Sequence, residues 1–120
     1  MAVSKADILT RALIKLGVIG WGETPETVIS ADLGLAYNEV YARLLQENLV
    51  TWASSADVPD EMVAPIVNLV AQERIVEHST NVERYQKIMA EAGANGSNAI
   101  AQIRARKSLP YQSETTAEYY

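Results

Sequence analysis

Residues 59–75 read PDEMVAPIVNLVAQERI. Val63, Ile66, Val67, Val70, Ala71 and Ile75 recur at the steps that bring side chains together on one side of a helix. That side is almost wholly apolar, so the segment is expected to form the centre of a helical bundle. The helix is expected to start at Pro59 or Asp60 and to fray at His78-Ser79-Thr80. Pro65 has no backbone N–H to give, so it either kinks this helix or marks its first turn.

Working outward, the flanking segments carry helix signals of their own. Ser4 and Asp7 have the spacing of a capping box, with Asp in place of Glu or Gln. Ile8, Leu9, Ala12, Leu13 and Leu16 then form a stripe, and Gly17 follows as a natural C-terminal cap. Residues 17–29, GVIGWGETPETVI, predict extended backbone or a turn. A second helix is expected after Ser30, running to about Asn48, with Leu33, Tyr37, Val40, Tyr41 and Leu44 inward and Leu45 or Asn48 extending the stripe. Gly34 in that helix suggests a close neighbour. Residues 50–60, VTWASSADVPD, predict a loop anchored by Trp52. Asn81 can cap a fourth helix carrying Val82, Tyr85, Ile88, Met89 and Ala92, ended by Gly93. After the turn GANGSN, residues Ala99, Ile100, Ile103 and Ala105 predict a short fifth helix. Its last turn holds Arg104, Arg106 and Lys107, charges that suit the negative end of a helix dipole. The expected fold is all-α: a small bundle of four to five helices over residues 1–106, with an extended C-terminal arm over residues 107–120.

Composition narrows the chemistry. A chain of 120 residues suits one domain and one core. Cysteine is absent, which excludes disulfides, thiolate metal sites and a cysteine nucleophile. The net charge of −5 argues against a generic nucleic-acid binder, because phosphate affinity comes mostly from Lys and Arg. No run approaches the roughly 20 apolar residues that cross a bilayer. Lys5, Asp7, Arg11 and Lys15 break up any signal-peptide core, so a soluble, intracellular protein is expected.

No catalytic constellation stands out. His78 is the one histidine, with no nucleophile turn to accompany it, and reads as a histidine at a helix C-terminus. Glu73 and Glu77 lack the Glu-x-x-His spacing of bundle metal sites, so neither metal nor cofactor is expected. GVIG and GANG match only the bare GxxG pattern and read as turns. The loop between the first two helices is too long for a helix-turn-helix. What remains is surface chemistry. Trp21 and Trp52 sit in loops, and the last fourteen residues, KSLPYQSETTAEYY, carry Tyr111, Tyr119 and Tyr120. Such aromatics outside a core stripe are favoured protein–protein anchors.

The stretch ILTRALIKLGVIGWGETP, followed by the Ser-led helix SADLGLAYNEVYARLLQ, resembles the head-to-tail adaptor proteins of tailed bacteriophages. Among these it resembles the tail-accessory, or packaged-DNA-stabilising, factors of short-tailed phages. A helix ending in Leu-Gly, a Gly-Glu-x-Pro loop, a Trp after the second helix, VPDE before the third and MAEAG closing the fourth carry the likeness over roughly residues 5–105. The resemblance implies a non-enzymatic virion protein at the head–tail junction, present in the host cytoplasm during assembly. It implies a homo-oligomeric, twelve-fold ring beneath the portal protein, which extends the DNA channel and presents a platform to the next tail or nozzle component. DNA would pass through without sequence-specific binding, and no membrane is involved.

The resemblance also implies that Leu109, Pro110 and Tyr111 begin a docking arm ending in the anchors Tyr119 and Tyr120, directed at portal or a neighbouring subunit. The basic residues Arg104, Arg106 and Lys107 are candidates for the same contact, and Trp21, Glu23, Pro25 and Trp52 for subunit interfaces. Two alternatives stay open. One is a small helical regulatory or antitoxin-like binding module; the other is a cell-wall lytic enzyme using a carboxylate pair that includes Glu23.

Overall fold

Ser4 opens the first helix as its spacing to Asp7 requires: its hydroxyl oxygen accepts from the Asp7 N–H at 3.2 Å. The structure is a computed structural model that describes residues 2–20, 22–23, 26–78 and 80–106. Helix α1 (Lys5–Leu16) buries Ile8, Leu9, Ala12, Leu13 and Leu16, the whole of the expected stripe. Gly17 follows in the left-handed region at φ 87°. The N–H of Val18 reaches the Leu13 carbonyl at 3.0 Å, which makes the end a Schellman motif. The remaining carbonyls of that last turn are satisfied from a distant part of the chain. Arg84 donates to Ile14 O at 3.1 Å and Lys15 O at 3.3 Å, while the Thr80 hydroxyl and N–H both donate to Leu16 O.

Helix α2 (Thr27–Gln46) begins earlier than expected, so Ser30 lies inside its first turn rather than capping it. Glu26 holds the cap position without a side-chain cap bond. A cap is worth about 1 kcal/mol; here one more turn of helix forms instead and packs Ile29 against the core. At the other end Asn48, at φ 58°, takes the left-handed place that glycine usually fills. The Leu49 N–H closes onto Leu44 O at 2.9 Å, and Leu49 is buried. Asn48 therefore terminates the helix instead of extending its stripe, and Leu45 is exposed. Gly34 makes no close approach: a Cβ there would stand 3.8 Å from Leu9 Cδ1, ordinary contact. Gly34→Ala is expected to raise stability by roughly 0.5–1 kcal/mol in a denaturant melt, because alanine fits and stiffens the unfolded chain.

Helix α3 (Asp60–Glu73) is the centre. It packs against α1, α2 and helix α5 (Val82–Ala92), and Val63, Ile66, Val67, Val70 and Ala71 are all buried. Pro65 lies in its interior, and the helix continues through it. The missing N–H leaves the Glu61 carbonyl without its intrahelical partner. Arg106 supplies the replacement, donating from its guanidinium to Glu61 O at 2.8 Å.

The helix breaks at Arg74, one turn before the expected fraying point, and a short turn α4 (Ile75–His78) follows. Asn81 caps α5 through its side chain, which accepts from the Arg84 N–H at 2.8 Å. Only Ile88 and Ala92 of α5 are fully buried; Val82 and Tyr85, expected in its inward stripe, are exposed. After a 3-10 turn (Ala94–Gly96), residues 97–106 form α6, which buries Ala99, Ile100 and Ile103 and leaves Ala105 exposed.

The segment read as a loop at 50–60 contains a short strand. Residues Val58–Pro59 (β2) pair antiparallel with Ala2–Val3 (β1). Two-residue strands are too short for period-two patterning to announce them. The architecture is thus an all-α bundle with one minimal two-stranded sheet among the described residues.

Candidate assembly surfaces

Trp52 sits half-buried against α2 rather than standing free. Its carbonyl accepts from the Tyr41 hydroxyl at 2.6 Å, and its indole N–H points at the Tyr37 hydroxyl at 3.4 Å. The Tyr37 and Tyr41 rings stack with centroids 6.4 Å apart, and Trp52 meets Tyr41 edge-on. Burial pushes the Tyr37 hydroxyl above its ordinary pKa. Glu23 is also used locally, accepting from the Gly20 N–H at 2.6 Å and closing the turn before α2.

The two arginines near the chain end are engaged inside the bundle. Arg104 pairs with Glu47 beyond the end of α2, and Arg106 completes α3 at Glu61. Together they fix α6 at both neighbours. Trp21, Pro25, Lys107, Leu109, Pro110, Tyr111, Tyr119 and Tyr120 lie outside the described residues.

His78 does more than end a helix. Its Nε2 lies 2.8 Å from Asp32 Oδ2; a carboxylate only accepts, so that nitrogen carries the proton. Arg74 donates to Asp32 Oδ1 and to Glu39 Oε1, each at 3.1 Å. Arg74 leaves helical geometry at the point where its guanidinium is held by these two acids. The cluster ties α2 to the junction of α3 and α4.

The His78 bond, helped by the bond and charge of Arg74 and opposed by partial desolvation, holds the Asp32 carboxyl below its ordinary 3.8. A depressed folded pKa contributes stability that is present above the ordinary value and lost as pH falls through the folded one. Asp32→Asn is therefore expected to cost about 1 kcal/mol at neutral pH, since the side chain is 35% exposed and solvent screens the pairs. The difference from wild type should close as pH drops below 3.8, in chemical melts run at several acid pH values.

The surface also carries two apolar features that the sequence reading missed. On α2, positions 28, 31, 35, 38, 42 and 45 alternate steps of three and four. They hold Val28, Ala31, Leu35, Asn38, Ala42 and Leu45, and all six are exposed. This is the a/d spacing of a helix that seats against another helix or in a groove. Val28 is 79% exposed, Leu35 60% and Leu45 53%, although Leu33, Ala36, Tyr37, Val40 and Leu44 on the other side fill the core. The signal was present as a heptad, but a search for one inward stripe passes over a helix with two apolar sides.

The second feature is a groove between α4 and α5. Its hollow of about 510 Å³ is lined by Ile75, Val76, Thr80, Asn81, Val82 and Tyr85. Past Tyr85 it adjoins a more polar hollow of about 550 Å³, lined also by Arg43, Gln72, Glu73, Met89 and Asn95. Val76 is 81% exposed and Val82 68%. Exposed apolar patches of this kind on a small domain mark interaction sites.

Among the described residues no helix is long and apolar enough to cross a membrane, and no group of three or more His, Asp and Glu side chains could hold a metal ion. No protein-family model matches the sequence, and no curated protein and no solved structure matches it.

Proposed function

We propose that this chain is a non-enzymatic structural subunit, a head–tail adaptor of a tailed bacteriophage. Copies form a ring beneath the portal, lengthen the DNA channel after packaging, and offer a platform to the next tail component. The observation that carries this reading is a single small bundle presenting two unlike apolar surfaces, the α2 ridge and the α4–α5 groove. A subunit of a ring needs two different contact surfaces, one for each neighbour.

The resemblance of residues 5–105 to the adaptor family supports the same reading. So does the net charge of −5, since an acidic lumen repels DNA and lets the duplex slide without sticking. Residues 107–120 serve as the arm that engages portal or a neighbouring subunit, with Tyr111, Tyr119 and Tyr120 as its aromatic anchors. Arg104 and Arg106 stand at its root, and their bonds within the bundle hold α6 up to residue 106.

The test is to mix the purified protein with purified portal and follow sedimentation and cryo-EM. Rings on the portal are expected. A protein that stays monomeric and ignores portal would sink the reading. Deleting residues 107–120 is expected to abolish attachment while leaving the melting temperature essentially unchanged. Substantial unfolding of the truncated chain would mean instead that the arm packs on its own bundle.

A further inference from the structure

We infer that the hollow between α1, α3 and α5 takes residues 107–120 of a neighbouring copy as an extended strand. The inference rests on the ring reading and deepens it, because it commits the arm to the next subunit. The hollow, of about 410 Å³, has an apolar floor of Val63, Ala64 and Val67. Asn68 lines it too, and is the one buried polar side chain among the described residues. It is only 7% exposed, and its Oδ1 has no hydrogen-bond partner. A buried amide left unpaired is costly, and an occupant that pairs with it recovers the loss.

Two charges at the same hollow are also unanswered. Among the described residues, neither the Arg11 guanidinium nor the Asp60 carboxylate has a hydrogen bond or an ion pair. The other two charges there, Lys15 and Glu91, satisfy each other at 2.5 Å. The open groups are thus an amide, a cation and an anion, above an apolar floor. An extended main chain brings N–H and C=O groups to the amide. Residues 107–120 add Lys107 for Asp60 and Glu114 for Arg11. The spacing agrees as well. Asp60, Ala64 and Asn68 follow one another along α3 at steps of about 6 Å. In a strand, Lys107, Leu109 and Tyr111 share one side at steps of about 6.6 Å, which sets the two apolar side chains over the floor.

The direction in which the described chain ends favours a neighbour over the same copy. Helix α6 starts where Gly96 packs on Leu69 and Gln72, and it ends where Arg106 reaches Glu61. It therefore runs antiparallel to α3 and leaves the bundle at the Asp60 end, heading away from Asn68. Lying in its own hollow in this register would require the chain to reverse at Lys107, the first residue of the arm. Fourteen extended residues reach up to about 46 Å, ample to cross to the next copy.

The probe is the acetylated peptide of residues 107–120, titrated into the dilute ¹⁵N-labelled full chain. Saturable shifts are expected at the Asn68 side-chain amide and at the backbone amides of residues 63–68. Asn68→Leu is expected to weaken binding by about tenfold or more. Its melting temperature should be unchanged or higher, since an apolar side chain of similar size removes the unpaired amide. Arg11→Glu is expected to weaken binding too, and a Glu114→Lys peptide to restore it for that variant alone.

Shifts confined to residues 75–89 would overturn the inference in favour of the α4–α5 groove. A response at Asn68 only after Leu109→Asp and Tyr111→Asp disable the chain's own arm would overturn it in favour of docking within one copy. No response in either chain would mean that the hollow holds only water. Rings on portal formed by Asn68→Leu would remove this contact and leave the adaptor reading standing. Peptide binding at Asn68 without rings on portal would establish the contact and remove the adaptor reading.

Discussion

Gly93→Ala is expected to lose about 3 kcal/mol of stability, enough to lower the melting temperature by roughly 10 °C in a chain of this size. Gly93 joins α5 to the 3-10 turn at φ 81°, ψ 174°, a region that only glycine enters readily. The space is closed as well. A Cβ would stand 2.8 Å from the Asn98 backbone nitrogen and 2.9 Å from Ser97 Oγ, and a backbone atom cannot swing aside as a side-chain end can. Gly22→Ala is the matched control. Its φ is 85°, but nothing lies within 4 Å of a Cβ, so only the left-handed backbone cost of about 1 kcal/mol applies. Thermal melts of the two variants set the cost of a positive φ alone beside the added strain and overlap at Gly93. A loss at Gly93 no larger than at Gly22 would mean that the α5–α6 turn re-forms freely around the new methyl.

The second large effect contrasts two leucines on one helix. Leu33→Ala is expected to cost about 3 kcal/mol, because Leu33 is 0% exposed and its removal leaves a cavity in the core. Leu35→Ala, two residues on, is expected to change stability by no more than about 0.5 kcal/mol. Leu35 is 60% exposed and has little packing to lose. On the proposed adaptor reading, its expected phenotype is weaker assembly on portal at unchanged melting temperature. Equal destabilisation at both positions would mean that the outer side of α2 is covered within its own chain, which would also remove the ridge as an assembly surface.

How far the sequence announces the structure differs from helix to helix. In α1 every signal is local: Ser4 bonds to Asp7, Gly17 lies one residue past the last apolar position, and the stripe faces one way. All of it appears as read. In α2 the local cap at Ser30 is overruled because an earlier start packs Ile29. In α3 Pro65 leaves two outcomes open from sequence alone. The helix runs on through it, and Arg106, which lies 45 positions beyond Glu61, supplies a donor to the bereft carbonyl. The exposed side of Val82 and Tyr85 was equally invisible, since an apolar residue at helical spacing reads the same whether it faces the core or an empty groove.

The arginines make the same point about the candidate site. Arg104 and Arg106 look like free cations at a helix end, and the sequence offers nothing to distinguish that from a structural role. Their partners, Glu47 and Glu61, are 57 and 45 positions away, and only the packing of α6 against α2 and α3 brings them into reach. Trp52 looks like a loop anchor and is held by Tyr37 and Tyr41, residues of the preceding helix.

By itself, then, the sequence determined the helical class, the central place of residues 59–75, the caps of α1 and α5 and the inward stripe of α1. These depend on hydrogen bonds and periodicities that span no more than a few turns of chain. Tertiary structure alone decided which polar groups complete distant helix ends, where Arg74 breaks the third helix, and which apolar side chains are left facing outward. Those outcomes turn on which element packs beside which, and that is a property of the whole bundle meeting in space.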